Sequence, residues 1–178
     1  MNPSRIALLD KLIEMGGDIQ VFNHSSFGEE PVADLNVRSS VLNPCKVSPD
    51  DVPNLIDELP ILFIASCFAD GISSFNEIEE LKHKESDRLS AMQEGLDKMK
   101  IKNFLDGDAF CIEGMGKDYK IPNFLAETFF DHRIAMSFAI AGLNSSSSIE
   151  ISSPESINTS FPEFVDLGKR LGCNFEIS

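Results

Sequence analysis

The sequence of 178 residues predicts an α/β (α+β) fold, one domain spanning residues 1–178, with apolar helices packed inside sheets. Three observations carry this expectation. Helical and strand patterns alternate from end to end. The segments Ile61–Ala69 and Ile134–Leu143 have few polar positions on any side, the mark of helices buried on most faces. One helix-to-strand junction also recurs, at Met15-Gly16, Met99-Lys100 and Leu171-Gly172, about 84 and then about 72 residues apart. The chain reads as a repeat of helix, strand, helix and strands, in one partial and two fuller copies.

Taken in order, Ile6, Leu8, Leu9, Leu12, Ile13 and Met15 fall at helical spacing, with Pro3 suited to the first turn and Gly16-Gly17 to the stop. Strand patterns follow at Ile19–Phe22 and Val32–Val37. Pro60 fits the first turn of a buried helix within Pro53–Asp70, ended by Asp70-Gly71. A short strand at Ser73–Asn76 leads to a helix over Lys84–Met99, patterned by Leu89, Met92, Leu96 and Met99. Ile101–Glu113 reads as a hairpin turning at Asp106-Gly107. The order then returns as an apolar helix His132–Leu143, a strand Ser148–Ser152, an amphipathic helix Phe161–Leu171 and a last strand Cys173–Ile177. No stretch reads as an interdomain linker.

Composition narrows the function. The formal net charge is −14, so the overall field repels polyanions and duplex nucleic acid is not an expected partner. A small anion remains open, because a local cationic cluster overrides a distant field screened over roughly 10 Å. The longest apolar run, Ile61–Phe68, is far too short to span a membrane. Cys45, Cys67, Cys111 and Cys173 form no C-x-x-C pair and read as free thiols in a reducing compartment, neither zinc ligands nor a disulfide framework. With no signal-peptide pattern at Met1–Arg5, a cytoplasmic protein is expected.

Three polar clusters bear candidate chemistry. In Lys82-His83-Lys84-Glu85-Ser86-Asp87-Arg88, at a helix start, Lys84 and Arg88 are expected on one face near the positive end of the helix dipole. That arrangement becomes favourable when an anion docks there; the competing reading is a solvated charged turn. Asp131-His132-Arg133 opens the second apolar helix, with Asp131 placed to cap it, so Arg88 and Arg133 form either a split anion site or a cap plus a structural ion pair. Asp57-Glu58 sits in an apolar stretch, where desolvation is expected to raise the pKa of Asp57 toward that of a useful proton acceptor; the alternative is a helix cap, for Glu58 above all.

Ile-Asp-Glu-Leu-Pro at 56–60, Lys-His-Lys-Glu-Ser-Asp-Arg at 82–88 and Asp-His-Arg-Ile-Ala-Met at 131–136, in this order, resemble the 5-enolpyruvylshikimate-3-phosphate synthase family. Pro31–Leu35, Arg38–Ser40 and Thr159–Phe164 are also similar to it, particularly to its glyphosate-tolerant bacterial branch, and the likeness runs from about Asn2 to about Phe175. The resemblance implies an enolpyruvyl transferase-like domain of repeated β-α-β-α-β-β units with helices buried among sheets. It also implies a two-domain enzyme of which this chain matches only the C-terminal domain. The implied reaction moves the enolpyruvyl group of phosphoenolpyruvate to the 5-hydroxyl of shikimate 3-phosphate, without metal or organic cofactor. Its other partner is the N-terminal domain, which holds the family's shikimate-binding Ser-Ala-Gln segment.

Carried over position by position, Asp57 matches the proposed base at the 5-hydroxyl, Lys84 the lysine between the substrates, and Glu85 the glutamate near the methylene carbon. Arg88 and Arg133 match the pair that clamps the phosphoenolpyruvate carboxylate, and Asp131 and His132 are expected to orient Arg133. Asp87 is expected to be structural. Lys82-His83 replaces the usual arginine and apolar residue, Lys100 replaces a common helix-ending glycine, and Thr159 replaces a lysine that many members direct at phosphate. Two rivals remain open. One is an enzyme like the UDP-N-acetylglucosamine enolpyruvyl transferase, which lacks the Lys-x-Lys-Glu-Ser-Asp-Arg pattern. The other is a non-catalytic module that keeps the fold.

Overall fold

In the computed structural model, which describes residues 1–176, a turn over Asn2–Arg5 precedes helix α1 (Ala7–Glu14). Asn2 Oδ1 accepts from the Ser4 N–H at 3.0 Å, so Pro3 belongs to this turn and not to the helix as expected. Strands β1 (Asp18–Phe27) and β2 (Glu30–Arg38) pair as an antiparallel hairpin much longer than the two apolar patterns suggested. Ile19 stands opposite Val37 and Val21 opposite Leu35. Beyond them the ladder continues past a bulge between Phe22 and Ser25 to the Phe27–Glu30 pair, and the added stretch of β1 has no apolar alternation to signal it.

Next come β3 (Lys46–Val47), the single turn α2 (Val52–Leu55) and α3 (Leu59–Cys67). Pro60 lies in the first turn of α3 as expected, but the helix stops at Cys67 because Ala69 already bridges to Leu42 in extended backbone. Strand β4 (Ile72–Asn76) and a 3-10 turn over Glu79–His83 lead to α4 (Arg88–Lys98). The expected helical start at Lys84 is wrong: Lys84 is extended, with φ −87° and ψ −156°, and Asp87 caps α4 by accepting from the Ser90 N–H. Strands β5 (Asn103–Asp106) and β6 (Ala109–Glu113) form the expected hairpin, with Gly107 at φ +60° in the place where a type II′ turn puts its glycine.

The last unit contains β7 (Leu125–Ala126), α5 (His132–Gly142), β8 (Glu150–Ile151), a 3-10 turn over Pro154–Thr159 and α6 (Phe164–Arg170). The 3-10 turn displaces the start of α6 from Phe161. Cys173–Glu176 form no strand, and Ile177 of the expected last strand lies outside the described residues.

The repeat is real at the level of register. Val47 pairs with Phe75 in the parallel β3–β4 ladder, and Ala126 pairs with Ile151 in the parallel β7–β8 ladder. Isolated parallel bridges, Leu42–Ala69 and Ile121–Ser145, precede each. The recurring junction ends α1, α4 and α6 on left-handed residues, Gly16 at φ +91°, Lys100 at +61° and Gly172 at +91°. Lys100 holds this conformation with a Cβ, at a cost of about 1–2 kcal/mol.

Sheet order is β3-β4-β6-β5 in the central unit, with β1-β2 and β7-β8 as separate pairs. Seven of the nine α3 residues are buried, as expected of an all-round apolar helix. Its Phe63 ring meets Phe75 at 4.6 Å and Phe110 at 5.3 Å between centroids, which locks the helix onto the central sheet. Helix α5 is buried along Ile134, Ala135, Ser137, Phe138 and Ala141, whereas Ile140 is 37% and Leu143 49% exposed, so the expectation of burial on most sides fails there.

Helix α4 crosses α5 at Gly95, where a Cβ would stand 1.9 Å from the Phe138 ring. Gly95→Ala is therefore expected to lower the unfolding free energy in urea by about 1–3 kcal/mol. Combined with Phe138→Leu it should cost less than the two separate losses added together, and strict additivity would show that the two residues do not share this space.

Candidate functional site

Three helix starts meet at one point, and each brings part of the chemistry. Asp57 and Glu58 occupy the tight turn between α2 and α3, Lys84–Asp87 form the bent approach to α4, and Asp131 is the N-cap of α5. The turn before Asp131 carries two consecutive non-glycine residues in the left-handed region, Phe129 at φ +52° and Phe130 at +59°. Such conformations persist only where surroundings impose them. Here buried Thr128 fixes one end through hydrogen bonds with Ser152, donating Oγ1 to the Ser152 carbonyl at 2.8 Å, and its own carbonyl accepts from the Asp131 N–H.

The hub is Arg88, the first residue of α4, whose side chain is wholly buried. Nε donates to Asp131 Oδ2 at 2.8 Å, Nη1 to Asp57 Oδ1 at 3.1 Å, and Nη2 to Glu85 Oε2. One guanidinium thus joins three carboxylates from three segments, each bond charge-assisted. Asp131 is also fully buried; its second oxygen, Oδ1, caps α5 by accepting from the Arg133 N–H at 2.9 Å. Its carboxylate therefore holds Arg88 directly and touches Arg133 only through the backbone, a different division of labour from the one expected.

Arg133 reaches back across the site. Its Nη1 donates to the Asp57 carbonyl at 2.7 Å and to Glu58 Oε1 at 3.2 Å, and its Nη2 lies 3.8 Å from Asp57 Oδ2. Glu58 is thus an ion-pair partner and not a side-chain cap. Lys84 Nζ bonds Glu80 at 2.7 Å and stands 3.7 Å from Asp57 Oδ1. Lys84 and Arg88 do not share a helix face, yet they converge on one carboxylate because the extended backbone at Lys84 turns its side chain inward. His132, half-buried at the first position of α5, takes no part in these bonds. Asp87 is structural, as expected.

The electrostatics reverse one expectation. Burial raises the pKa of Asp57, but the Arg133, Lys84 and Arg88 charges together outweigh it and hold the carboxyl below its ordinary value of 3.8. The hydrogen bond to Glu80 raises the pKa of Lys84 despite opposing desolvation, so both groups are ionised at neutral pH. A groove of about 390 Å³ opens beside Glu85 and Ser86, walled by Ser90, Ala91 and Phe129. Sequence reasoning missed Ser86, which donates to Asp131 Oδ2 at 3.0 Å, and Glu80; only the four-residue spacing of Glu80 and Lys84 offered a signal.

The family described as EPSP synthase (3-phosphoshikimate 1-carboxyvinyltransferase) matches residues 1–167. The 3-phosphoshikimate 1-carboxyvinyltransferase of Aquifex aeolicus is 46% identical over 167 residues, covering 92% of this chain and 38% of the relative. That of Zymomonas mobilis is 44% identical over 182 residues, covering 99% and 40%. This chain thus spans about two fifths of the length of the curated relatives it matches. The solved EPSP synthase of Acinetobacter baumannii superposes on the whole chain with a TM-score of 0.93 at 40% identity, over 41% of its own length. The enolpyruvyl transferase NikO of Streptomyces tendae, 18% identical with a TM-score of 0.68, shares the fold.

Removing Asp131 should expose the dependence of this network on it. Asp131→Ala strands a buried guanidinium at Nε and uncaps α5, and is expected to cost about 3–5 kcal/mol in urea unfolding; a loss below about 1 kcal/mol would mean that Arg88 does not need this partner. The Asp57 pKa is lowered in the folded chain, so its stabilising share is complete above the ordinary value of 3.8 and fades as pH falls through the lower folded value. The gap in urea midpoint between wild type and Asp57→Asn should accordingly stay level from neutral pH down to about 5 and close below about 3.8. A gap that widens with acid would reverse the assigned direction.

Proposed function

The chain belongs to the EPSP synthase family, and on that premise we propose that it supplies the C-terminal domain of an enzyme transferring the enolpyruvyl group of phosphoenolpyruvate to the 5-hydroxyl of shikimate 3-phosphate. The observation that carries this reading is the convergence of Asp57, Lys84, Glu85, Arg88 and Arg133 at three helix starts. In the reaction, the 5-hydroxyl oxygen adds to C2 of phosphoenolpyruvate while C3 takes a proton. The tetrahedral adduct then loses a C3 proton and expels phosphate. Arg88 and Arg133 bind the carboxylate of phosphoenolpyruvate, Lys84 bridges the two anions, and Glu85 faces C3. Asp57 receives the 5-hydroxyl proton. Asp131 holds Arg88, and His132 completes the wall beside Arg133.

Asp57 begins as a poor base, because three cations lower its pKa. A substrate carboxylate arriving on Arg88 and Arg133 competes for those cations and raises the Asp57 pKa, which makes the base effective only in the loaded site. Positioning two charged reactants supplies the remainder of the acceleration. The N-terminal domain of the same enzyme is the proposed partner, contributing the ring-binding residues, and this chain alone is proposed to be inactive. The cytoplasm is the proposed compartment, supported by four free cysteines.

The test mixes the purified chain with a separately expressed N-terminal half from a related enzyme, and follows phosphate release from phosphoenolpyruvate and shikimate 3-phosphate. Release is expected only with both halves, and Asp57→Ala or Arg133→Ala should cut it by about 100-fold or more. Turnover by the chain alone at an ordinary enzymatic rate, or release indifferent to both substitutions, would refute the assignment.

A further inference from the structure

We propose that Ser86 is a positioning residue that sets the guanidinium of Arg88, an inference that rests on the function above only for its catalytic consequence. Ser86 reaches Arg88 once directly and once through Asp131. Its carbonyl accepts from the Arg88 backbone N–H at 2.9 Å, and its hydroxyl donates at 3.0 Å to Asp131 Oδ2, the same oxygen that receives Arg88 Nε at 2.8 Å. Because Asp131 Oδ1 is committed to the Arg133 N–H at 2.9 Å, every contact of this buried carboxylate is directional. The hydroxyl therefore fixes the rotation of the carboxylate plane, and the carboxylate plane fixes Nε.

The same bond ties the approach carrying Lys84 and Glu85 to the start of α5, which carries Arg133. Without the hydroxyl, Oδ2 answers Nε alone. The approach segment then loses a side-chain link to α5, and the guanidinium is free to tilt. Ser86 is only partly buried, so a hydroxyl on a slightly larger side chain fits the same role.

The test reads the Arg88 Nε–H resonance in the isotope-labelled chain, with its fold monitored by circular dichroism, and the KM for phosphoenolpyruvate in the two-half assay. Ser86→Ala is expected to speed exchange of the Nε–H with water about tenfold and to raise KM by a similar factor, while Ser86→Thr stays near wild type in both. Unchanged Nε–H exchange in Ser86→Ala overturns the proposal, as does a Ser86→Thr variant that exchanges as fast as Ser86→Ala. If phosphate release by the two halves is indifferent to Asp57→Ala and Arg133→Ala, and the Nε–H still responds as expected, the function reading falls while the positioning role of Ser86 is supported.

Discussion

The burial of Arg88 is the constraint on which the rest of this structure depends. A guanidinium cannot lose its proton in place of its water, so removing it from solvent demands full pairing at every donor edge. That demand is met locally by Glu85, three residues before Arg88, and by Asp57 and Asp131, which reach it only because the starts of α3 and α5 converge on the start of α4. Packing and electrostatics therefore enforce each other. Gly95 lets α4 close on Phe138 of α5, and the same approach brings Arg88 within reach of Asp131.

The repeat explains why helix starts were available at one place. Two units run a short strand into an apolar helix and return through a parallel partner strand, with Val47–Phe75 and Ala126–Ile151 in matching register. Helices α3 and α5 pack directly against each other, and α4, entered through its 3-10 turn, touches both. Each start leaves unpaired backbone N–H groups. Asp87 and Asp131 satisfy two of them with side-chain caps, and Arg133 and Glu58 fold over the third.

The charges in this cluster are balanced so that each site carboxylate already has a cation and each site cation a carboxylate. Such a set is quiet when empty and responsive when an anion enters, because one new negative charge redistributes several existing contacts. The low pKa of Asp57 is the visible sign of that balance. The left-handed pair Phe129-Phe130 is part of the same economy, since strain in the turn is what aims Asp131 at Arg88 and α5 at once.

By itself the sequence determined the fold class, the repeat, the apolar character of α3 and the three clusters that resemble one family, because these rest on local periodicity and on motifs written contiguously. It also located the left-handed junctions, down to Lys100 in a glycine's place. Only the tertiary structure decided which charges meet. Lys84 was expected on the face of α4 and instead approaches Asp57 from the bent segment before that helix, while Asp131 was expected to serve Arg133 and instead grips Arg88. Asp57 was expected to gain pKa by burial and loses it to cations that lie 27, 31 and 76 residues away along the chain. The physical reason is that helix periodicity acts over a few residues, whereas desolvation and Coulomb interaction depend on distances that only the folded chain defines.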